Sequence, residues 1–187
     1  MTSSRRTLKF NLPTALTLSR IVLIPLFIYV TPGNNVLGAA VFGVASLTDF
    51  LDGYLARRSG DITTFGIIVD PIADKFLVIA ALILLVDMGR LSVLVAVIII
   101  VREFLVTGLR GVALAKDMVI KAEMGGKLKT NAQIVAILCL ILDRTVLGVD
   151  LYDVGVVAIW AAVVLAVVSG VQYMVNFWRK TVGAEAR

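Results

Sequence analysis

Histidine is missing from this sequence, and cysteine occurs once. Without an imidazole, histidine-based triads and histidine metal sites are excluded, so a general base must be a carboxylate, a lysine or another group. The lone Cys139 rules out a disulfide within the chain and says little about compartment. It sits in the apolar run 134–142, where it reads as a packing residue. Charge is scarce as well. Only 17% of the 187 residues are charged, against 59% hydrophobic, and the mean hydropathy is +0.98. A soluble domain could not cover so much apolar surface, so lipid is the expected solvent. At about 20 residues per span, the chain has room for roughly six spans and none for a separate soluble domain.

Hydrophobic runs predict helices near 13–31, 36–58, 66–87, 91–115, 128–147 and 152–178. The expected fold is an all-α integral membrane bundle of six transmembrane helices, forming a single domain over 1–187. Residues 1–12 read as an amphipathic lead-in and 179–187 as a short tail. Arg5, Arg6 and Lys9 precede an apolar stretch, as in a secretory signal. Thr14, Thr17, Ser19 and Arg20 interrupt that stretch, however, and no small-residue cleavage site follows, so it reads as a retained first span. Turns are marked by Thr31-Pro32-Gly33-Asn34-Asn35, Ser59-Gly60-Asp61, Gly89-Arg90, the polar break 116–127 and the segment 148–153. Asp143, Asp150 and Asp153 are expected to be merely solvated there.

An even number of spans puts both termini on one side. That side would hold Arg5, Arg6, Lys9, Arg57, Arg58, Arg110, Lys116, Lys121, Lys127, Lys129, Arg179, Lys180 and Arg187, leaving Arg90 and Arg144 opposite. So strong a bias places the termini and the 58–65 and 116–127 loops in the cytoplasm. The net charge of +5 then reflects topology and anionic lipid, and no nucleic acid partner is needed to explain it. In the last span Ala158, Ala162, Ala166 and Gly170 recur every four residues, a stripe suited to close helix packing and expected to pack within the protomer.

Acidic residues inside a membrane are costly and usually functional. Asp49, Asp52, Gly53, Ala56 and Arg57 fall at i, i+3, i+4, i+7 and i+8, one face of a helix; Gly66, Asp70 and Asp74 fall at i, i+4 and i+8, one face of the next. A short loop joins the two helices, so the four carboxylates share a depth of roughly 10 Å from the cytoplasmic end. So many negative charges in a low dielectric require countercharges. Two hard divalent cations, Mg²⁺ or Mn²⁺, suit an all-oxygen set. The bland alternative is a salt-bridge network of Asp49 or Asp74 with Arg57, Lys75, Arg102 or Arg20, which would not require four acids and two glycines in register. Gly53 and Gly66 remove side chains where a ligand approaches. Arg57 offers a planar fork for phosphate, and Pro71 weakens the helix ladder beside Asp70.

The string Asp49-x₂-Asp52-Gly53-x₂-Ala56-Arg57-x₈-Gly66-x₃-Asp70-x₃-Asp74 resembles the signature of the CDP-alcohol phosphotransferase family at every defined position. The resemblance implies six membrane helices around a cytosol-facing polar cavity, usually in a homodimer. It implies that Asp49, Asp52 and Asp70 hold one divalent metal, that Asp70 and Asp74 contribute to a second, and that Asp74 is the base. Gly53 and Arg57 would contact the CDP portion of CDP-diacylglycerol, with Thr63 and Gly66 beside it and Thr14 and Thr17 on helix one lining the same site.

Longer strings, among them Asn11-Leu-Pro-Thr-Ala-Leu-Thr-Leu-Ser-Arg20, Asp70-Pro-Ile-Ala-Asp-Lys75, Thr107-Gly-Leu-Arg110 and Gly126-Lys-Leu-Lys-Thr130, most resemble the bacterial branch of the family that makes phosphatidylglycerophosphate. That implies an inner-membrane location and sn-glycerol 3-phosphate as acceptor, whose dianion needs cations. Arg110, Lys127 and Lys129 are the candidates, their bland reading being ordinary cytoplasmic positive charge. Arg102 and Glu103 read as a structural ion pair or support for the site, with direct substrate contact as the alternative. Gly125-Gly126-Lys127 lacks the spacing and ending of a phosphate loop. Other readings keep the chemistry with inositol phosphate, serine or another phosphatidylglycerol as acceptor, or make the carboxylates a divalent-cation path, which would require polar residues continuing to the outer face.

Overall fold

A computed structural model of the chain describes residues 22–59, 64–115 and 125–185; the side chains at 49–74, 114–129, 180 and 182–185 lie outside the described set. The described residues form six helices and one small hairpin. Helix α1 covers 22–30, followed by α2 (Asn35–Ser59), α3 (Thr64–Asp87), α4 (Val93–Ala115), α5 (Gly125–Leu142) and α6 (Leu151–Glu185), with β1 (Thr145–Val146) and β2 (Val149–Asp150) between α5 and α6. The all-α expectation therefore holds. By length and composition, one described stretch, Leu151–Arg179, is apolar enough to cross a membrane on its own, while Asn35–Thr48 and Thr130–Leu142 are shorter apolar stretches.

Local chemistry sets the turns at one end of the bundle. Asn34 Oδ1 accepts from the Leu37 amide at 3.0 Å and caps the start of α2. The fully buried Thr31 donates its hydroxyl to the Phe27 carbonyl at 2.6 Å. Helix α3 stops at Gly89, whose φ of +70° lets the amides of Gly89 and Arg90 turn back to the carbonyls of Val86 and Leu85 at 3.0 and 2.9 Å.

Arg90 then crosses to α5. Its Nη1 donates to the Ile141 carbonyl at 2.8 Å and its Nη2 pairs with Asp143 at 3.0 Å, a cation neutralising the exposed carbonyl end of a helix.

The expected helix over 128–147 ends five residues early. Its apolar content runs on through Val146 and Leu147, but Asp143 takes a φ of +42°, and Leu147 and Gly148 take +52° and +80°. Two consecutive positive φ values make the two-residue turn that suits a tight antiparallel hairpin, with Val146 paired to Val149. Two of the three aspartates expected to be only solvated also have work here. Asp143 holds Arg90, and Asp150 Oδ1 accepts from the Tyr152 amide at 2.9 Å to start α6. Helix α6 continues to Glu185, beyond the expected 178.

Helix α5 lies at the centre, touching α2, α3 and α6. Its inward face is Gln133, Ala136, Ile137, Leu140 and Ile141, spaced i, i+3, i+4, i+7 and i+8. Around it pack Phe42 and Ala45 of α2, Leu82 and Leu85 of α3, and Ile159 and Val163 of α6. The Phe27 and Phe42 rings, 5.7 Å apart, attach α1 to α2. Many large apolar side chains face outward, among them Val97, Val101 and Leu105 of α4 and Val164, Val168 and Val171 of α6.

The small-residue stripe of α6 packs inside the protomer: Ala162 and Ala166 are buried, and a Cβ on Gly170 would sit 3.4 Å from Arg102 Cγ. At Gly155 the approach is closer still. A Cβ there would lie 2.8 Å from Leu140 Cγ and 3.0 Å from the Leu140 backbone nitrogen. Gly155→Ala is therefore expected to destabilise by about 1–3 kcal/mol through overpacking, despite better helix propensity. Gly108→Ala, where a Cβ meets open space, is expected to be neutral or to stabilise by up to about 1 kcal/mol. Thermal unfolding of both variants in detergent measures the difference in sign.

Candidate active site

Asp49, Asp52, Gly53 and Arg57 all lie on α2, and Gly66, Asp70 and Asp74 all lie on α3, which runs unbroken through Pro71. The helical spacing read from the sequence is thus realised in both backbones. The two helices touch each other and are joined by residues 60–63. At about 1.5 Å per residue, Asp52 stands roughly 10 Å before the end of α2 and Asp70 roughly 9 Å after the start of α3. The acidic positions therefore share one level of the bundle. Their carboxylates, and the side chain of Arg57, lie outside the described residues, as do Thr14, Thr17 and Thr63 altogether. Among the described residues no group of three or more acidic or sulfur side chains is placed to hold a metal ion.

Beside this level a charged network joins α3, α4 and α6. Arg102 occupies a position on the buried stripe of α4, between Ile99 and Val106, where an apolar residue would ordinarily sit. Its guanidinium is satisfied from two directions. Nε donates to the Ala166 carbonyl at 2.8 Å and Nη2 to Ser169 Oγ at 2.6 Å, both on α6. Nη1 pairs with Glu103 at 3.1 Å. The other oxygen of Glu103 lies 3.7 Å from Lys75 Nζ on α3, one residue after Asp74.

The ion pair expected at Arg102 and Glu103 is present and is part of a larger clamp that ties α3, α4 and α6 together at the level of Asp74. Both described cations offered by the salt-bridge alternative, Lys75 and Arg102, engage Glu103. Gly170 admits the clamp, since the Arg102 side chain lies against its missing Cβ.

Two polar residues that the sequence reading passed over also lie near this level. Gln133 is 4% exposed, and its Nε2 has no hydrogen-bond partner among the described residues; nor has the buried Ser46 Oγ, three residues before Asp49. The available signal was an amide on an otherwise apolar face of α5. Arg110, expected in an acceptor pocket, is exposed on α4 toward the same end of the bundle, while Lys127 and Lys129 open α5 with side chains outside the described set. Away from the motif, the described core is apolar, with Phe42, Ala45, Leu77, Ala81 and Leu82 filling it. A polar path continuing outward, as a cation carrier would need, is not seen among these residues.

The profile described as CDP-alcohol phosphatidyltransferase matches residues 10–168, a span that contains the whole acidic motif. The chain belongs to the CDP-alcohol phosphatidyltransferase family. Its relatives in that family cover nearly all of it. A CDP-diacylglycerol--glycerol-3-phosphate 3-phosphatidyltransferase of Bacillus subtilis (strain 168) is 40% identical over 185 residues, covering 90% of this chain and 96% of the relative. The protein of the same name from Rickettsia typhi (strain ATCC VR-144 / Wilmington) is 39% identical over 168 residues, covering 87% and 94%. A probable phosphatidylglycerophosphate synthase of Mycobacterium tuberculosis (strain ATCC 25618 / H37Rv) is 43% identical over 176 residues, covering 90% and 82%.

The Lys75–Glu103–Arg102 clamp links α3, the helix that carries Asp70 and Asp74, to α4 and α6. Glu103→Gln leaves two cations with a weaker partner in a partly buried setting and is expected to cost about 1–3 kcal/mol, between the values typical of exposed and buried pairs. A double-mutant cycle of Glu103→Gln with Lys75→Met, read by thermal unfolding, measures the coupling; additive losses would show that the 3.7 Å contact carries no energy.

Proposed function

We propose that this chain transfers the phosphatidyl group of CDP-diacylglycerol to sn-glycerol 3-phosphate, forming phosphatidylglycerophosphate and CMP. The observation that carries the reading is the complete acidic motif on two touching helices, in a chain about 40% identical over most of its length to relatives bearing that activity in their names. The chain acts as a single membrane domain of six spans, with its termini and the motif level facing the cytoplasm of a bacterial inner membrane. The outward-facing apolar side chains and the asymmetric distribution of Lys and Arg support that placement. A homodimer is the proposed assembly.

Asp49, Asp52, Asp70 and Asp74 form an all-oxygen donor set suited to two hard divalent cations, Mg²⁺ or Mn²⁺. When bound, such cations neutralise the diphosphate and the charge that develops on departing CMP. The protein's own groups do the rest. Gly53 and Gly66 leave room for the nucleotide, and Arg57, with Thr63, Thr14 and Thr17, holds its CDP portion. Asp74 takes the proton from the acceptor hydroxyl. The resulting oxygen forms a bond to the phosphorus of the phosphatidyl group, and the bond from that phosphorus to the CMP oxygen breaks, CMP leaving with the electron pair. Arg110, Lys127 and Lys129 bind the phosphate of the acceptor from the cytoplasmic side.

Purified protein in detergent with CDP-diacylglycerol and competing alcohols tests this directly. Glycerol 3-phosphate is expected to be the preferred acceptor, and EDTA to abolish turnover with recovery on adding Mg²⁺ or Mn²⁺. Preference for inositol phosphate, serine or phosphatidylglycerol would replace the acceptor, and turnover indifferent to EDTA would remove the metals. Asp74→Asn is expected to lower kcat by at least about 10²-fold, the lower end for loss of a general base, while CDP-diacylglycerol binding remains measurable. A variant as fast as the wild type would remove the base assignment.

A further inference from the structure

Two buried polar atoms from different helices come to the same level of the bundle without a protein partner among the described residues. Gln133 of α5 is 96% buried, the complement of its 4% exposure, and its Nε2 donates to nothing described; Ser46 Oγ of α2 is likewise buried and unmatched. An amide buried without a partner costs about 1–3 kcal/mol by mutational measures and more where no water is at hand. A fold that keeps one is accommodating something other than its own packing.

The helix register says where they lie. Arg90, at the end of α3, reaches the carbonyls that end α5, so these two helices finish at the same end of the bundle and run parallel. Helix α2, joined to α3 by four residues, runs opposite to both. A Cβ on Gly43 of α2 would lie 3.9 Å from Leu138 Cδ2 of α5, which fixes the register of the pair. Moving from that point toward the motif leads along α2 to Ser46 and then Asp49, and back along α5 to Gln133. Gln133 thus stands at the level of Thr48 and Asp49, immediately on the inner side of Asp52, with the apolar core of Phe42, Ala136 and Ile137 directly behind it.

We propose that Gln133 and Ser46 form the floor of the active site on its membrane side and bind the lipid half of the donor substrate, the Gln133 Nε2–H group donating to a phosphate or ester oxygen of the diacylglycerol phosphate. The position selects this ligand. The soluble acceptor and the nucleotide approach from the cytoplasmic end, beyond the acidic residues, whereas the oxygens of the lipid's glycerol backbone lie between the diphosphate and the acyl chains. A neutral amide suits that place. It donates to an oxygen without adding a cation to the metal-binding carboxylates and without the desolvation cost of a charge against the core. The proposal rests on CDP-diacylglycerol being the donor.

The test uses the full chain in detergent with Mg²⁺. Gln133→Leu keeps the volume and removes the donor. Its KM for CDP-diacylglycerol is expected to rise about tenfold, the effect of a typical lost hydrogen bond to a charged or ester oxygen, with kcat and the KM for glycerol 3-phosphate within about twofold. The thermal midpoint of the free protein is expected to stay or rise. The stabilisation produced by CDP-diacylglycerol should shrink, while that produced by CDP, which lacks the lipid half, is retained. Ser46→Ala should show the same pattern, weaker.

An unchanged KM for CDP-diacylglycerol, an equal loss of response to CDP, or a fall in the midpoint of the free Gln133→Leu protein would each overturn the proposal. The last outcome would mean that the amide is already satisfied within the fold. Wild-type protein that fails to turn over CDP-diacylglycerol would instead overturn the proposed function itself, so the two failures are distinct.

Discussion

Helix α5 couples the bundle, because α2, α3 and α6 all pack against it and its contact with α6 is the most extensive between any two described helices. Its face of Ala136, Ile137, Leu140 and Ile141 meets α2, α3 and α6. In lipid there is little hydrophobic drive between helices, so such contacts hold by close fit and by matched polar groups. Both occur at the turn end of α5. Gly155 allows α6 to approach Leu140 to within contact of its backbone, and Arg90 closes the last carbonyls of α5 while pairing with Asp143. Helix α5, held in this way, packs against the helix pair α2–α3 that bears the acidic motif.

Polarity is distributed along the bundle in two regimes. At the turn end the packing is apolar and the polar groups serve caps and turns, with Arg90 the one described side chain that crosses from α3 to the end of α5. Toward the motif level charges appear on inward stripes: Arg102 stands between Ile99 and Val106, and Glu103 draws Lys75 toward it from α3. A guanidinium in such a place is tolerable because α6 supplies a carbonyl and a hydroxyl and α4 supplies the countercharge. The same arrangement makes one carboxylate, Glu103, common to two helices, its α3 partner Lys75 being the residue that follows Asp74. Structure and proposed chemistry meet at this point, since a metal-binding carboxylate must be held in place by its helix as well as by its own torsions.

The motif itself needed no structure to be legible. Asp49, Asp52, Asp70 and Asp74 with Gly53, Ala56, Arg57 and Gly66 are spaced for helix faces, and both helices form over the whole of it. The turns at Asn34 and Gly89 were equally plain, since an amide cap and a left-handed glycine are chemical requirements of single residues. The end of α5 was not. Val146 and Leu147 look like more helix, and only the backbone turn at Asp143 and the hairpin pairing of Val146 with Val149 remove them from it.

What the sequence alone determined, then, is local: helix-forming apolar runs, the turn residues that end most of them, the small-residue stripe of α6 and the family signature. Each is read from spacing along one stretch of chain, a few residues for a turn and up to 26 for the signature. What only the tertiary structure decided is which side chains from different helices meet. Lys75 and Glu103 are 28 positions apart by number, and Arg102 and Ser169 are 67 apart, yet they share one network. Gln133 and Ser46 could be ranked only once α2 and α5 were set side by side and their polar atoms were found without partners. Hydrogen bonds and ion pairs act over a few ångströms of space, whatever the separation along the chain, and no periodicity in the sequence encodes that proximity.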